Sequence, residues 1–421
     1  MMSPRFIKVF RDLTTDRMKS LMLTLAVAIG VFGIGTILGA YAVLTREMAG
    51  NYLGTQPASA TIKLENGSID QNLLEGVNNI PGILQTERHA TVLSRMKIGD
   101  DWYPMLLFVI DDFQNIKTNK IIKVSGAWPP PTGTMLVERT ALVVMKSGEG
   151  EKVIVKTPHG EQKAVLVSGI VHDPGLAPAW QEQSGYGYIT LSTLHWLGEQ
   201  QGFDELRIRM DDTVNSINAI EEISKAAADW IESQGNLVHE IQIPPPGRHP
   251  HQSQMNAVLS LFIAFSFMTL ILGAILVTTS ISTLMLKQIR EIGIMKTIGA
   301  GSFQISGLYL LMIFTFSVFA VVPAVFLSYF SSNVLIYRIA TLLNLTIFDA
   351  SIPHWVFAVQ ALSDILIPLS ATAVPVLRGG RITVREAIDN YGVTKNSFGN
   401  RRLPTFNLEV QQKKKPLQVV F

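Results

Sequence analysis

Three polar clusters in the sequence contain the side chains that most often act as acids and bases. They are Asp111-Asp112, Glu138 and His172-Asp173. None of them stands in a nucleophile–base pattern, and each is better explained as a helix cap, a turn or a surface group. The glycine-rich stretch 148–152 lacks the spacing of a P-loop and predicts a hairpin turn. We therefore expect no catalysis by this chain and no ATP binding through a P-loop.

The sequence supports metal binding and thiol chemistry no better than it supports acid–base catalysis. The sequence contains no cysteine, which excludes disulfides, thiolate metal sites and a cysteine nucleophile. His249 and His251 lack a third ligand, and they belong to a proline-rich segment, 244–251, that predicts a stiff tether. We expect no cofactor and no metal. The net charge of +2 is too small to indicate nucleic-acid binding.

The most distinctive charged segment is Lys287–Gly301, which separates two long apolar runs. Its apolar residues recur at roughly helical spacing among three basic residues and one acid. The apolar residues are Ile289, Ile292, Ile294, Met295 and Ile298, and the charged ones are Lys287, Arg290, Glu291 and Lys296. Two interpretations are open: a charged stop after a membrane span, or a short amphipathic helix at the membrane surface that binds a soluble partner.

Four apolar runs are long enough to cross a bilayer, which needs about 20 such residues. Only 16% of the residues are charged and 48% are hydrophobic, which indicates membrane spans combined with a polar domain. The first run is too long for the core of a signal peptide, roughly 7–15 residues, so we predict an uncleaved anchor. The predicted spans are 21–44, 257–286, 305–329 and 355–377.

The basic residues predict the orientation of these spans. They are concentrated before the first span, in the 287–303 loop and after the last span, whereas the 330–354 loop carries only Arg338 and Asp349 as charged residues. Lys and Arg near span ends stay on the cytoplasmic side. We therefore predict that both termini and the 287–303 loop are cytoplasmic and that residues 45–255 are outside.

The outside segment predicts a mixed α/β domain. Alternating apolar residues predict strands at 60–65, 102–109, 152–156 and 164–171, and helical periodicity appears at 69–79 and 214–234. The predicted fold class is thus a multi-pass α-helical membrane protein with four transmembrane helices and a mixed α/β extracytoplasmic domain.

Three residues within the predicted spans have unusual types for their position. Gly35 and Gly39 have the GxxxG spacing that permits close helix approach, although spans also tolerate glycine without that role. Asp364 lies near the middle of the fourth span, where a carboxylate costs about 2.5–3.5 kcal/mol on insertion scales. We expect Asp364 to face a partner helix or water.

The order of one span, a large outside domain and three further spans resembles the FtsX-like, or MacB-type, ABC transporter permeases. The residues that carry the resemblance are Arg290–Lys296, Ile298-Gly299-Ala300 and the segment 378–388 after the last span. The resemblance covers nearly all of residues 1–392. The implied domains are a cytoplasmic N-terminal segment (1–20), a MacB-like periplasmic core domain (45–255), an FtsX-like permease domain (256–392) and a cytoplasmic tail (393–421).

In that family the loop between spans two and three docks on a separate P-loop ABC ATPase. The resemblance therefore implies a non-enzymatic permease subunit in the bacterial cytoplasmic membrane, which transmits ATP-driven motion to export or extract a lipoprotein, peptide or lipophilic substrate. A non-transporting regulator that activates a cell-wall hydrolase or a signalling partner is the alternative. The implied ATPase-coupling residues are Lys287, Arg290, Glu291, Ile292, Gly293, Ile294, Lys296 and Gly299.

Long members of the family carry two such units, and residues 390–399 resemble the linker to their second half. The expected membrane partner is therefore either a second copy of this chain or a second permease half. The resemblance also leaves room for an extracytoplasmic protein partner.

Overall fold

The computed structural model describes residues 17–65, 68–250 and 252–389. Most of the predicted N-terminal segment 1–20 and all of the predicted tail 393–421 lie outside these residues. In chain order the elements are α1 (Arg17–Gly54), β1 (Ala60–Leu64), α2 (Gln71–Asn78), β2 (Ile83–Ile98), β3 (Asp101–Ile110), β4 (Ile122–Gly126), β5 (Thr134–Glu138), α3 (Ala141–Met145), β6 (Lys152–Lys156), β7 (Lys163–His172), α4 (Ala179–Glu182), β8 (Gly185–Thr190), α5 (Leu191–Leu197), β9 (Glu205–Met210), α6 (Ile217–Ser233), β10 (Val238–Gln242), α7 (Gln252–Lys287), α8 (Ile289–Thr297), α9 (Ser302–Leu342), α10 (His354–Gly380) and α11 (Val384–Asp389).

Four helices in the described part of the chain are long and apolar enough to cross a membrane: α1, α7, α9 and α10. Together with the mixed α/β domain formed by residues 60–242, they confirm the predicted fold class. α1 continues to Gly54, ten residues beyond the predicted span end. The first residues assigned to the outside domain are therefore the last turns of this helix.

α9 is also longer than its predicted span. Its 41 residues extend to Leu342, so the first part of the predicted 330–354 loop is helical. At 1.5 Å per residue the helix is roughly 60 Å long, about twice the thickness of the hydrocarbon core. The reason is packing, because Ile336 and Ala340 are buried in one cluster with the end of α1.

The four long helices form a bundle. α1 packs against α7, α9 and α10, and α10 also packs against α7 and α9. α7 contributes the smallest buried share and exposes a long apolar face. In α10 every fourth residue is buried, which produces one continuous inward stripe: Val356, Gln360, Asp364, Pro368, Thr372, Val376 and Gly380.

The α/β domain consists of two connected units. Strands β10, β1, β9 and β2 lie side by side in that order, all antiparallel, and helices α2 and α6 follow β1 and β9. This is a split βαβ arrangement. The second unit is a closed ring of strands in the order β2, β3, β8, β5, β7, β6. The long strand β2 belongs to both units, and a single buried apolar core extends through them.

Each of the four predicted strands and two predicted helices of this domain has a counterpart in the structure, with ends that differ by up to three residues. The stretch 148–152 forms a turn before β6, in which the Glu151 amide donates to the Gly148 carbonyl at 3.2 Å.

Candidate functional site at the two ends of the helix bundle

The segment predicted to couple to an ATPase forms the short helix α8, which follows α7 after a break at Gln288. The side chain of Ile292 is completely buried. At the break, the Tyr309 hydroxyl of α9 donates to Gln288 Oε1 at 2.8 Å. One side of α8 is therefore held against the end of the bundle.

α8 is also held by the segment that follows α10. A Cβ atom on Gly293 would lie 2.9 Å from Ala387 Cβ in α11, so the two helices touch where α8 has no side chain. Lys296 Nζ donates to the Ile382 carbonyl at 2.6 Å and to Ser302 Oγ at 3.2 Å. The predicted coupling residues Ile292, Gly293 and Lys296 thus fix α8 in place.

The remaining predicted coupling residues lie on the opposite, exposed side. Lys287, Arg290, Glu291, Ile294 and Gly299 are all exposed. Ile294 and Ile298 expose 51% and 82% of their surface, so this side is apolar as well as charged. α8 is consequently an anchored helix whose exposed side carries both apolar and charged residues, and the binding of a soluble partner to that side stays a prediction.

A second polar contact lies at the other end of α9, where the turn 343–353 meets the α/β domain. We call the contact among Glu138, Arg139, His172 and Asn344 the junction. Asn344 has a positive φ of 59°, a left-handed conformation that asparagine tolerates better than most residues. Its Oδ1 accepts from Arg139 Nε at 2.5 Å, and its Nδ2 donates to Glu138 Oε1 at 2.7 Å. Its carbonyl accepts from Arg139 Nη2 at 2.9 Å.

Glu138 is the most buried charged group of the junction and is completely inaccessible. Its Oε2 accepts from the Thr140 amide at 2.6 Å, and His172 Nδ1 lies 3.5 Å from Oε1. Burial alone would raise the pKa of Glu138, but the hydrogen-bonding groups of His172, Thr140 and Asn344 lower it below its ordinary value. Glu138 is therefore a stable carboxylate that joins the domain to the helix turn.

The end of α1 binds the same turn from the other side. Asn51 Nδ2 donates to the Thr346 carbonyl at 2.8 Å, and Glu47 Oε2 accepts from the Phe348 amide at 2.7 Å. Arg46 Nη2 donates to the Asp349 carbonyl at 2.5 Å. α1, α9 and the α/β domain therefore meet in one polar contact region.

The tether beside β10 is fixed at the same end. His249 Nε2 donates to the Pro174 carbonyl at 2.7 Å, and the His249 ring contacts Tyr52 edge-on with centroids 5.1 Å apart. Within the described residues no group of three or more metal-binding side chains occurs. The structural role of His249 is thus to attach the tether, while His251 lies outside the described residues.

The other polar clusters of the sequence are structural. Asp111 forms an ion pair with Arg88 at 2.6 Å, and Asp112 caps a turn by accepting from the Gln114 amide at 2.8 Å. Asp173 accepts from the Gly175 amide at 2.8 Å and from the Tyr188 hydroxyl at 2.7 Å. Burial raises the pKa of Asp173 above its ordinary value, although these hydrogen bonds oppose the change.

Inside the bundle, the glycines of α1 lie at its closest contacts. A Cβ on Gly35 would lie 2.3 Å from the Gln360 side chain of α10, and one on Gly39 would lie 2.7 Å from Ser332 Oγ of α9. Asp364 is completely buried one turn after Gln360. Among the described residues, neither of its carboxylate oxygens has a hydrogen-bond partner.

Residues 263–384 match the family model described as FtsX-like permease C-terminal. This segment is FtsX-like. It includes α8, α9 and α10, and it confirms the resemblance drawn from the sequence for this part of the chain. The four long apolar helices, together with the match to an FtsX-like permease model, indicate a membrane protein.

Two solved structures are similar to part of the chain. The crystal structure of the periplasmic region of MacB from Actinobacillus actinomycetemcomitans is 15% identical, covers 50% of this chain and 98% of that one, and has a TM-score of 0.32. The crystal structure of the extracellular domain of the noncanonic ABC-type transporter YknZ from Gram-positive bacteria is 15% identical, covers 43% and 100%, and has a TM-score of 0.29. No curated protein sequence matches the chain.

The FtsX-like segment contributes one junction residue, Asn344, that the sequence analysis did not select. Asn51 and Glu47 of α1 were also missed. A signal for them existed, because they lie four residues apart just after the first apolar run and so share one helix face. Asn344 gave no comparable signal, because the predicted span ended at 329, fifteen residues before it.

Proposed function

We propose that this chain is the membrane subunit of an ABC transporter of the FtsX/MacB type and that a separate P-loop ATPase docks on α8. The observation that carries the proposal is the continuity of α9. This one helix begins beside α8 and ends at the turn that binds the α/β domain. A displacement of α8 would therefore reach the α/β domain through one continuous helix, which contains Pro323 and is joined to α8 by the short segment 298–301.

The outer face of α8 has the composition of a docking surface. Its exposed isoleucines stand between charged side chains, as in interfaces where an apolar centre is surrounded by a polar rim. Because Ile292 and Lys296 fix the opposite face, a partner that pushes α8 moves the ends of α9 and α10 with it.

The distribution of basic residues supports an orientation in which α8 is cytoplasmic and the α/β domain is outside. In this arrangement ATP hydrolysis takes place on the partner, and the chain itself contributes no catalytic step. The transported substrate would be a lipoprotein, a peptide or a lipophilic molecule on the outer side of the membrane. The permease would act with a second copy or a second permease half.

Co-purification with the ATPase tests the proposal. The full chain is isolated from its native membrane, the bound ATPase is identified, and its ATP hydrolysis is measured with wild-type permease and with Ile294→Asp. A carboxylate at the centre of an apolar contact should lower the stimulated rate and the recovery of the ATPase at least about tenfold. Val143→Asp is the matched control, because Val143 is equally apolar and exposed but lies in the α/β domain.

If the Ile294→Asp permease co-purifies with the ATPase and stimulates ATP hydrolysis as fully as the wild type, α8 is not the docking site. Failure of the wild-type chain to retain any ATPase after gentle solubilisation would contradict the transporter assignment itself.

A further inference from the structure

A groove of about 350 Å³ opens between α1 and α9, near the outer ends of the predicted spans. Its walls are apolar except at one end, where Arg338 stands. The lining residues are Thr36, Phe330, Ser331, Val334, Leu335 and Arg338. The two helices are joined at this height, because Ser332 Oγ donates to the Thr36 carbonyl at 2.9 Å.

The height of Arg338 corresponds to a lipid headgroup. At the cytoplasmic end, Ser306 of α9 contacts Gly380, next to the basic residues that follow α10. Arg338 comes 32 residues after Ser306 in the same helix, a rise of roughly 48 Å. A bilayer with its headgroups is about 40–45 Å thick. With the tilt of about 20° that is typical of membrane helices, the rise along the bilayer normal is about 45 Å, which places the guanidinium at the level of the outer headgroups. Val334 and Phe330 come one and two turns earlier in the helix, roughly 6 and 12 Å closer to the acyl chains.

Arg338 also lacks a protein partner. In the part of the chain that the structure describes, it forms no hydrogen bond and no ion pair, whereas Asp349, the nearest acidic residue in sequence, binds Arg46. Its neighbours Val334 and Tyr337 are exposed and apolar or aromatic. At the headgroup level, a guanidinium without a protein partner can bind phosphate oxygens in a bidentate geometry.

We propose that this groove is a binding site for one glycerophospholipid of the outer leaflet, whose phosphodiester binds Arg338 and whose acyl chain fills the groove. Charge complementarity favours a phospholipid over a second copy of the chain as the occupant. A second copy would have to supply an anionic side chain at the same depth in the membrane as Arg338. The thirteen residues 342–354 that continue from α9 supply one carboxylate, Asp349, and it is already paired.

The site requires α9 to cross the bilayer, but it does not require an ATPase to dock on α8. The proposal therefore goes beyond the proposed function. Loss of coupling at α8 would leave lipid binding intact, and loss of the lipid would leave recovery of the ATPase intact, so the two can fail separately.

Native mass spectrometry of the full chain in detergent tests the site. Dioleoyl phosphatidylglycerol is added at increasing concentration, and the apparent dissociation constant of the first bound lipid is measured. Arg338→Gln removes the charge, and Val334→Trp fills the groove. Arg338→Gln should weaken binding about tenfold or more, the usual effect of losing a charge-assisted hydrogen-bonded pair. Val334→Trp should weaken it to a similar extent of about tenfold, because the indole excludes the acyl chain from the groove. Arg338→Lys keeps the charge without the bidentate geometry and should bind with intermediate affinity.

Val322→Trp is the matched control, because Val322 is equally exposed on α9 but does not line the groove. It should bind the lipid like the wild type. Two further probes separate the parts of the ligand: dioleoylglycerol, which lacks the phosphate, should bind about tenfold more weakly, and glycerol phosphate should not compete.

Equal affinity of wild type and Arg338→Gln, or equal losses in Val334→Trp and Val322→Trp, would mean that only non-specific boundary lipid is present. Competition by glycerol phosphate would mean a free-phosphate site. A lipid-free dimer of the wild type would mean that a second copy covers the groove. Each of these results overturns the proposal. Arg338 is exposed and unpaired, so its variants are expected to fold, and the thermal unfolding of the α/β domain verifies this.

Discussion

Replacing Asn344 by glycine is expected to open the junction while the α/β domain and the helix bundle stay folded. The substitution deletes the side chain that accepts from Arg139 and donates to Glu138. Glycine adopts the φ of 59° at this position without strain, so the backbone conformation is preserved. The carbonyl of residue 344 still accepts from Arg139. The experiment therefore removes two hydrogen bonds and little else.

The size of the effect follows from the charge of both partners. A hydrogen bond to a charged group contributes about 1.5–3 kcal/mol, and the burial of Glu138 prevents water from replacing the lost donor fully. Because neighbouring contacts are not additive, we expect a loss of roughly 2–4 kcal/mol in the free energy of opening the junction. That loss corresponds to an increase in the opening constant on the order of a hundredfold. Asn344→Ala should open it further, because alanine adds about 1 kcal/mol of left-handed strain.

Hydrogen exchange of the full chain provides the assay. The Thr140 amide, which donates to Glu138, and the Leu345 amide, which donates to the Ala340 carbonyl, report on the two sides of the junction. Both amides should exchange about a hundredfold faster in Asn344→Gly than in the wild type. Amides of the β6–β7 pair lie elsewhere in the domain and should keep their protection. Lys146→Gly is the control for a glycine at a left-handed position, because Lys146 has a φ of 51° and is exposed.

Two results would refute this reasoning. Unchanged exchange of the Thr140 and Leu345 amides would show that the junction is held by other contacts, such as those of Glu47 and Asn51 with the same turn. Faster exchange throughout the β6–β7 pair would show that Asn344 stabilises the whole domain rather than its attachment.

Two further predictions concern the bundle and the pH dependence of the junction. Gly35→Ala should destabilise the bundle by roughly 1–3 kcal/mol, because its Cβ would overlap the buried Gln360 side chain. Gly33→Ala is the control and should not destabilise the bundle, because the space around Gly33 is open. Equal melting temperatures of the two variants in detergent would contradict this prediction. Because the pKa of Glu138 is lowered in the folded state, its stabilising contribution is complete above its unfolded value near 4.5 and is lost as the pH falls through the lower folded-state pKa. Exchange of the Thr140 amide, corrected for intrinsic rates, should therefore increase below about pH 4.5 in the wild type and not in Glu138→Gln, and a parallel dependence in both would exclude Glu138 as the titrating group.

The membrane helices and four of the ten strands of the α/β domain were predictable because their signals are local, whereas β2, β4, β5, β8, β9 and β10 were not predicted. A run of about 20 apolar residues identifies a span without knowledge of its neighbours, and alternation identifies a strand such as β6 in the same way. The end of α9 was not predictable from hydropathy. The helix continues to Leu342 because Ile336 and Ala340 pack against α1, and that contact depends on the tertiary arrangement.

The junction was even less predictable from the sequence than the end of α9. Glu138 and Asn344 are 206 residues apart, and each is an ordinary polar residue in its own segment. The sequence analysis interpreted Glu138 as a cap, a turn or a surface group. Glu138 does cap the Thr140 amide, but it is completely buried, and its second oxygen binds a turn of the membrane part. α8 was easier to recognise, because its apolar residues and charges lie within one short segment.

The contrast between the middle and the ends of α9 indicates where a displacement of α8 would have its effect. In the middle of α9 the buried side is formed by small residues, namely Ala320, Ala324, Ser328 and Ser332. The polar contacts of these residues are hydroxyl hydrogen bonds, such as those of Ser328 to Gln360 and Ser332 to Thr36, each worth about 1 kcal/mol or less within a membrane. Small side chains also permit neighbouring helices to approach closely and to shift with little steric resistance.

At the junction, by contrast, Asn344 forms three hydrogen bonds with Glu138 and Arg139, and all of them involve residues that carry a charge. The polar contacts of α9 are therefore weaker in its middle than at the end that binds the α/β domain. If α8 moves, the least costly response is for α9 to shift against α1 and α10 and to carry the junction with it. This mechanism makes the effect of Asn344→Gly asymmetric: the variant should still bind the ATPase through α8, yet ATP hydrolysis should no longer change the exposure of the α/β domain at the junction.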